Sequence, residues 1–255
     1  METGHRKTQD SAMIKKILSS GQTGAARAAL DVAIRLGIPY GGWIREGRTT
    51  ESGPLSAEYQ LGEIPVSTFA DCKELNILES DGTLLLSHGG LSGEAALTQK
   101  IAQRKDRPVL HVDLNEMRPL VAASVINDWV IAHDVNILNV AGPPASKDPK
   151  IYTHTMKTLE AAYRIGVVKS SIHDSLKAGR SMAETVVDVI IPILSLRGKA
   201  ALGNMDEADA KQLANAFLPY IKSKTGTGID DKEYSDIMKQ LLRRLQETHK
   251  LRVVK

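Results

Sequence analysis

Cys72 is the only cysteine in 255 residues, so no disulfide can form within the chain. The same scarcity excludes a cysteine-based zinc or iron–sulfur site, and no metal site is expected. Aromatic residues make up 4%, which leaves Ala, Leu, Ile and Val to fill the core. Strong charge of one sign is also missing. The net charge is +3, and residues 166–255 carry 15 Lys/Arg against 11 Asp/Glu, an excess too thin to argue for a nucleic-acid partner. The longest apolar stretch, residues 186–194, is too short to span a bilayer and contains Asp188 and Pro192. The opening METGHRKTQDSAMIKK lacks the apolar centre of a signal peptide. A cytoplasmic protein with no membrane partner is the expectation. Repeats and low-complexity tracts are absent too.

What is present is an alternation of short apolar runs and amphipathic segments. Strands are expected at 14–19, 38–40, 83–87, 109–112 and 136–140, with helices at 25–36, 71–79, 94–104 and 119–133. Gly37 with Pro39 behind it marks the end of the first helix. Such an alternation predicts an α/β fold, a Rossmann-like parallel sheet with helices on both faces. Residues 41–65 have no clean period, and 44–58 reads as a surface loop bordering a crevice, a lid ordered by ligand. Beyond about Tyr152 the strand signal disappears. The chain therefore divides into a polar arm at 1–13, an anion- or nucleotide-binding domain at 14–153 and an all-helical extension at 154–255. In the extension, Ala210, Leu213, Ala214, Phe217 and Ile221 share one helical face, as do Tyr234, Ile237, Met238, Leu241 and Leu245. The apolar block at 186–194 needs burial on several sides, and a second subunit is expected to complete it, making a homo-oligomer through these helices.

Glycine-rich corners fall at the carboxyl ends of three expected strands: SSGQTG at 19–24, HGGLSGE at 88–94 and AGPPAS at 141–146. Ligands of open parallel sheets bind at that edge. Glycine lets backbone N–H groups approach a ligand, and a helix N-terminus adds unpaired donors and partial positive charge, a combination that favours phosphate. SSGQTG lacks the Gly-Lys-Ser/Thr of a Walker loop and is not GxGxxG. Arg27, one turn past Gly24, either reaches an anion or faces solvent. His88 is a turn residue, or else a metal ligand or an acid–base group, and Glu94 a helix cap or a base.

Three ordered blocks, SSGQTGAARAALDVAIRLGIPYGGWIREGRTTESGPL, SDGTLLLSHGGLSGEAALT and LNVAGPPASKDPKIY, resemble the molybdenum cofactor carrier proteins. Those belong to a wider group of nucleotide-binding Rossmann-like proteins that includes lysine-decarboxylase-like phosphoribohydrolases. The resemblance spans about residues 14–153. The family's Ser-Gly-Gly-Gln-Thr-Gly loop matches Ser19, Gly21, Gln22, Thr23 and Gly24, with Ser20 in place of one glycine. Arg27 matches the basic member of an Asp-Arg pair whose acid is Ala26 here. Gly41, Gly42, Trp43, Gly47, Arg48, Gly53 and Pro54 match a further segment, and Ser80, Asp81, Gly82 and Thr83 match the turn into the central strand. Where the family has Gly-Gly-Thr, this chain has Ser92-Gly93-Glu94. A carboxylate at that place repels an anion unless it points away or is neutralised.

The resemblance implies a binding protein for a phosphorylated or oxyanionic ligand, a molybdopterin-type cofactor, with phosphate or a nucleotide as the alternative. The N–H groups of Gly21–Gly24 would hold the anion, Thr23 would donate a hydroxyl and Arg27 or Arg48 would pair with charge. Trp43 would offer a flat face to a pterin or anchor its loop. Asp81, Gly89, Gly90, Ser92, Gly93 and Glu94 complete the expected site. No catalytic residue is assigned. The rival is a nucleotide or phosphoribosyl hydrolase, for which Asp81, His88 and Glu94 are the candidate acid–base groups. A third reading makes the sheet domain a scaffold and the helical tail an interaction module.

Overall fold

The computed structural model describes residues 13–65 and 69–178, with isolated positions 232, 235, 236 and 239. The arm, the apolar block at 186–194 and the two apolar helical faces of the extension lie outside the described residues. The chain divides into two compact units, Met1–Gly166 and Val167–Lys255. The candidate site belongs to the first.

That unit begins with strand β1 (Lys16–Leu18), helix α1 (Ala25–Leu36) and strand β2 (Tyr40–Gly41). Short strands β3 (Trp43–Arg45), β4 (Thr49–Thr50), β5 (Gly53–Pro54) and β6 (Gly62–Ile64) follow. Then come α2 (Phe69–Leu78), β7 (Gly82–Ser87), α3 (Gly93–Arg104), β8 (Val109–Asp113), α4 (Pro119–Ala132), β9 (Ile137–Ala141) and α5 (Ile151–Lys177).

Five of the strands form one parallel sheet in the order β2-β1-β9-β7-β8. Strand β7 lies inside the sheet between β9 and β8, and every residue of GTLLLS is buried, which is why it reads as an apolar run. The chain moves from β1 to β2 in one direction and from β7 to β8 in the other, then returns to insert β9 between the two pairs. Crossovers of one hand send the helices of opposite moves to opposite faces. Accordingly Ala25, Ala29 and Val32 of α1 and Ala122, Ile126 and Val130 of α4 share a core with Leu84, Leu86, Leu138 and Val140. Ile77 of α2 packs with Ile101 and Ala102 of α3 in a separate cluster. This is the expected Rossmann-like fold.

Helix α1 stops where the sequence says it should. Gly37 takes a left-handed φ of 67°, its N–H reaches Ile34 O, and Ile38 N–H reaches Ala33 O at 2.8 Å.

Two expectations change. Residues 41–65 are built from paired strands, β3 with β6 in parallel and β4 with β5 as a hairpin. Strands of two or three residues are too short to show a period, and side chains hold them instead. The Arg48 guanidinium donates to Leu55 O at 3.0 Å, Ser56 O at 3.0 Å and Tyr59 O at 2.7 Å. The expected domain boundary at 153/154 falls inside α5, whose Ile151, Met156, Leu159 and Ala162 complete the sheet core.

Candidate functional site

Because the sheet is parallel, the corners after β1, β7 and β9 meet at one edge. Between them lies a cleft of about 330 Å³, lined by Ser20, Gln22 and Ala26 from the first corner and its helix, and by Glu94 and Thr98 from α3. Asn139 to Gly142 of β9 and its loop, Thr49 to Glu51 of the hairpin, and Lys73 and Asn76 of α2 complete it.

At the first corner the glycines answer packing demands. A Cβ on Gly24 would lie 2.4 Å from Pro143 O, and its φ of 78° is itself unfavourable for other residues. A Cβ on Gly21 would lie 2.6 Å from Leu55 Cδ2. The first N–H of α1, on Ala25, points at Pro143 O across 3.5 Å. Ser19 is fully buried, its Oγ 3.0 Å from the carbonyls of Ala26 and Val140, where it ties β1, α1 and β9 together. Arg27 donates from Nε and Nη2 to Gly21 O at 3.0 and 2.9 Å and stacks 5.0 Å from the centre of the Tyr59 ring. Gln22 donates to Thr49 O at 2.8 Å. In this corner Ser20 and Gln22 face the cleft, while Ser19 and Arg27 brace the loop.

At the second corner Glu94 is neutralised. Its Oε2 lies 3.3 Å from Lys73 Nζ. Burial pushes the Lys73 ammonium below its ordinary pKa, with Glu94 opposing the shift. Gly89 donates its N–H to Asp113 Oδ1 at 2.8 Å. Ser92 precedes α3 without a side-chain cap, and Gly93 opens the helix. Gly90 and Ser92 line a neighbouring crevice of about 360 Å³.

Three expected site residues belong elsewhere. Asp81 precedes β7, at the opposite edge of the sheet from these corners, where its Oδ2 accepts the N–H groups of Asn136 at 2.9 Å and Ile137 at 2.7 Å. It joins strands and takes no part in the cleft. The Trp43 ring packs on Gly62, and its backbone is bonded in both directions to the Asn76 side chain at 2.9 and 3.0 Å. Arg48, with φ of 54°, organises the turn between β3 and β6.

The residues that sequence reasoning missed come from far along the chain. Thr23 donates its hydroxyl to Glu51 Oε1 and accepts the Ala145 N–H at 3.1 Å. Ser146 donates its N–H to Glu51 Oε1 at 3.1 Å and its hydroxyl to Oε2. These hydrogen bonds, from Ser146 and Thr23 foremost, hold the Glu51 carboxyl below its ordinary pKa. In the neighbouring crevice His88 Nδ1 lies 2.7 Å from Asp148 Oδ2, and His88 Nε2 lies 2.7 Å from His154 Nδ1. Burial, then the His88 ring, lowers the His154 pKa. The AGPPAS corner already marked the loop carrying Ala145 and Ser146. Nothing local marked Lys73, Asp148 or His154.

Together the fold and this edge define a Rossmann-like protein with a cleft at the carboxyl edge of its sheet, and the chain belongs to the circularly permutated YpsA SLOG family, whose model matches residues 17–163. It is similar to a crystal structure from Syntrophus aciditrophicus SB named "Putative molybdenum carrier protein". The identity is 50% and the TM-score 0.58, over 58% of this chain and 94% of that one. No curated protein matches. Among the described residues no helix is long and apolar enough to cross a membrane, and no group of three or more His, Cys, Asp or Glu is arranged to hold a metal ion.

Proposed function

We propose that this chain binds and carries a phosphorylated or oxyanionic small molecule in the cleft at the carboxyl edge of its sheet. The observation that carries the reading is the Lys73 ammonium, 10% exposed, placed in a cleft walled by hydroxyls, amides and a glycine-rich loop. A cation held at the cost of burial is stabilised further by an anion brought to it. The similar protein's name makes a molybdenum cofactor the first ligand to test, and the donor set suits it in one respect. It offers hydrogen-bond donors and a cation for an oxyanion, and among the described residues no cluster of side chains for a bare metal ion. Phosphate or a nucleotide is the alternative ligand. Freshly purified protein, denatured to release its contents, is expected to yield a pterin or nucleotide phosphate by mass spectrometry. Empty protein that also takes up neither class on titration would contradict the reading.

The hydrolase reading has one observation in its favour, the Asp148–His88–His154 relay beside the cleft. Both His88 nitrogens are engaged, by Asp148 and by His154, so the group of this relay suited to take a proton is the His154 ring at its end, whose pKa is lowered. Incubation with nucleoside monophosphates separates the two: free base released by wild type and lost in His88→Ala would favour the enzyme.

A further inference from the structure

The donors around Glu51 have the chemistry of a ligand site with part of the protein sitting in it. Two hydroxyls and one backbone N–H converge on a single carboxylate. Thr23 is committed to this orientation, because its oxygen already accepts the Ala145 N–H and its proton is left to point at Glu51. Neutral donors fixed by backbone around one pair of negatively charged oxygens serve a phosphate or another oxyanion as well as a carboxylate. Glu51 itself is exposed and stands at the tip of the β4–β5 hairpin. Its neighbours are held largely within that hairpin, as by the Thr50 hydroxyl on Gly53 O at 2.6 Å. Removing the carboxylate from the donors therefore disturbs the tip and leaves the sheet core untouched.

We propose that the Thr23 hydroxyl, the Ser146 hydroxyl and the Ser146 N–H form an oxyanion subsite whose built-in occupant is Glu51, and that a ligand oxyanion enters by displacing Glu51 and releasing the β4–β5 tip. The subsite deepens the carrier reading and rests on it for its biological ligand. It gives the expected lid the opposite sense: the tip is fastened in the free protein, and the ligand unfastens it. Competition between an internal and an external anion also makes retention reversible, since Glu51 returns as the ligand leaves.

The test uses the full chain and two probes, inorganic phosphate and molybdate, titrated calorimetrically. Glu51→Ala is expected to bind phosphate at least about tenfold more tightly than wild type, since the internal competitor is gone. Adding Ser146→Ala to that variant is expected to abolish the gain. In wild type, phosphate is expected to speed amide exchange at residues 49–54. Equal affinity of wild type and Glu51→Ala, or a gain that survives Ser146→Ala, would overturn the proposal. Melting curves confirm that each variant is folded, and Glu51→Gln, which keeps the shape and removes the charge, is expected to fall between the two. The two readings fail separately. A protein that carries no pterin or nucleotide yet shows the Glu51→Ala gain keeps the subsite and loses the carrier role, and a loaded protein without the gain does the reverse.

Discussion

Burial removes water from the Lys73 ammonium, and the Glu94 carboxylate 3.3 Å away offsets part of that loss. The lysine is then a poor contributor to stability and a good contributor to anion binding. Lys73→Met, which fills the same space, is expected to leave the melting temperature almost unchanged and to weaken anionic ligands by about 10- to 100-fold. Glu51 behaves in the opposite sense. Its ordinary pKa is 4.5 and the hydroxyls of Ser146 and Thr23 lower it. A carboxyl with a lowered folded value keeps its contribution above the ordinary pKa and loses it as pH falls through the lowered one. The Ser146 amide resonance is therefore expected to titrate with a midpoint below 4.5, and a midpoint above that value would contradict the hydrogen bonding described. Asp81 provides a control. Asp81→Ala leaves the N–H groups of Asn136 and Ile137, at the start of β9, without their acceptor, at a cost of about 1–3 kcal/mol in urea unfolding, with ligand affinity unchanged.

Helix α1 shows why two glycines of similar φ are not equivalent. Gly37 ends the helix with open space around its missing side chain, so Gly37→Ala costs only the left-handed conformation, about 1–2 kcal/mol. Gly24 begins it against Pro143 O and Ala145 N, and Gly24→Ala adds a backbone collision for a total of about 2–5 kcal/mol. Side-by-side urea titrations check the order. A bulky residue at Gly21 also disturbs the fold, because its Cβ would lie 2.6 Å from Leu55 Cδ2. The expected strands and helices of the sheet domain lie within a few residues of the observed ones because periodicity and stop signals are local. Arg27 and Arg48 were not legible in the same way. Their guanidinium groups bond to carbonyls 6 to 11 residues away, and no pattern distinguishes a loop-bracing arginine from an anion-binding one. The partners of Thr23 and His88, Ala145 and His154, lie 122 and 66 residues further along, so only the folded sheet edge brings them together.

At the scale of the whole molecule, the family covers residues 17–163, and the rest of the chain stands outside that match. We propose that the apolar block at 186–194 is buried in part by a second copy of the chain. Light scattering of the full-length protein is expected to give at least a dimer, and a monomer at high concentration would contradict the proposal. One comparison tests the cleft most directly. Wild-type, Lys73→Met and Asp81→Ala proteins, purified in parallel, are weighed by native mass spectrometry. The prediction is an added small-molecule mass on wild type and Asp81→Ala that is absent from Lys73→Met. Equal loading of all three proteins, or a bound mass lost only with Asp81, would contradict a carrier site at the carboxyl edge of the sheet.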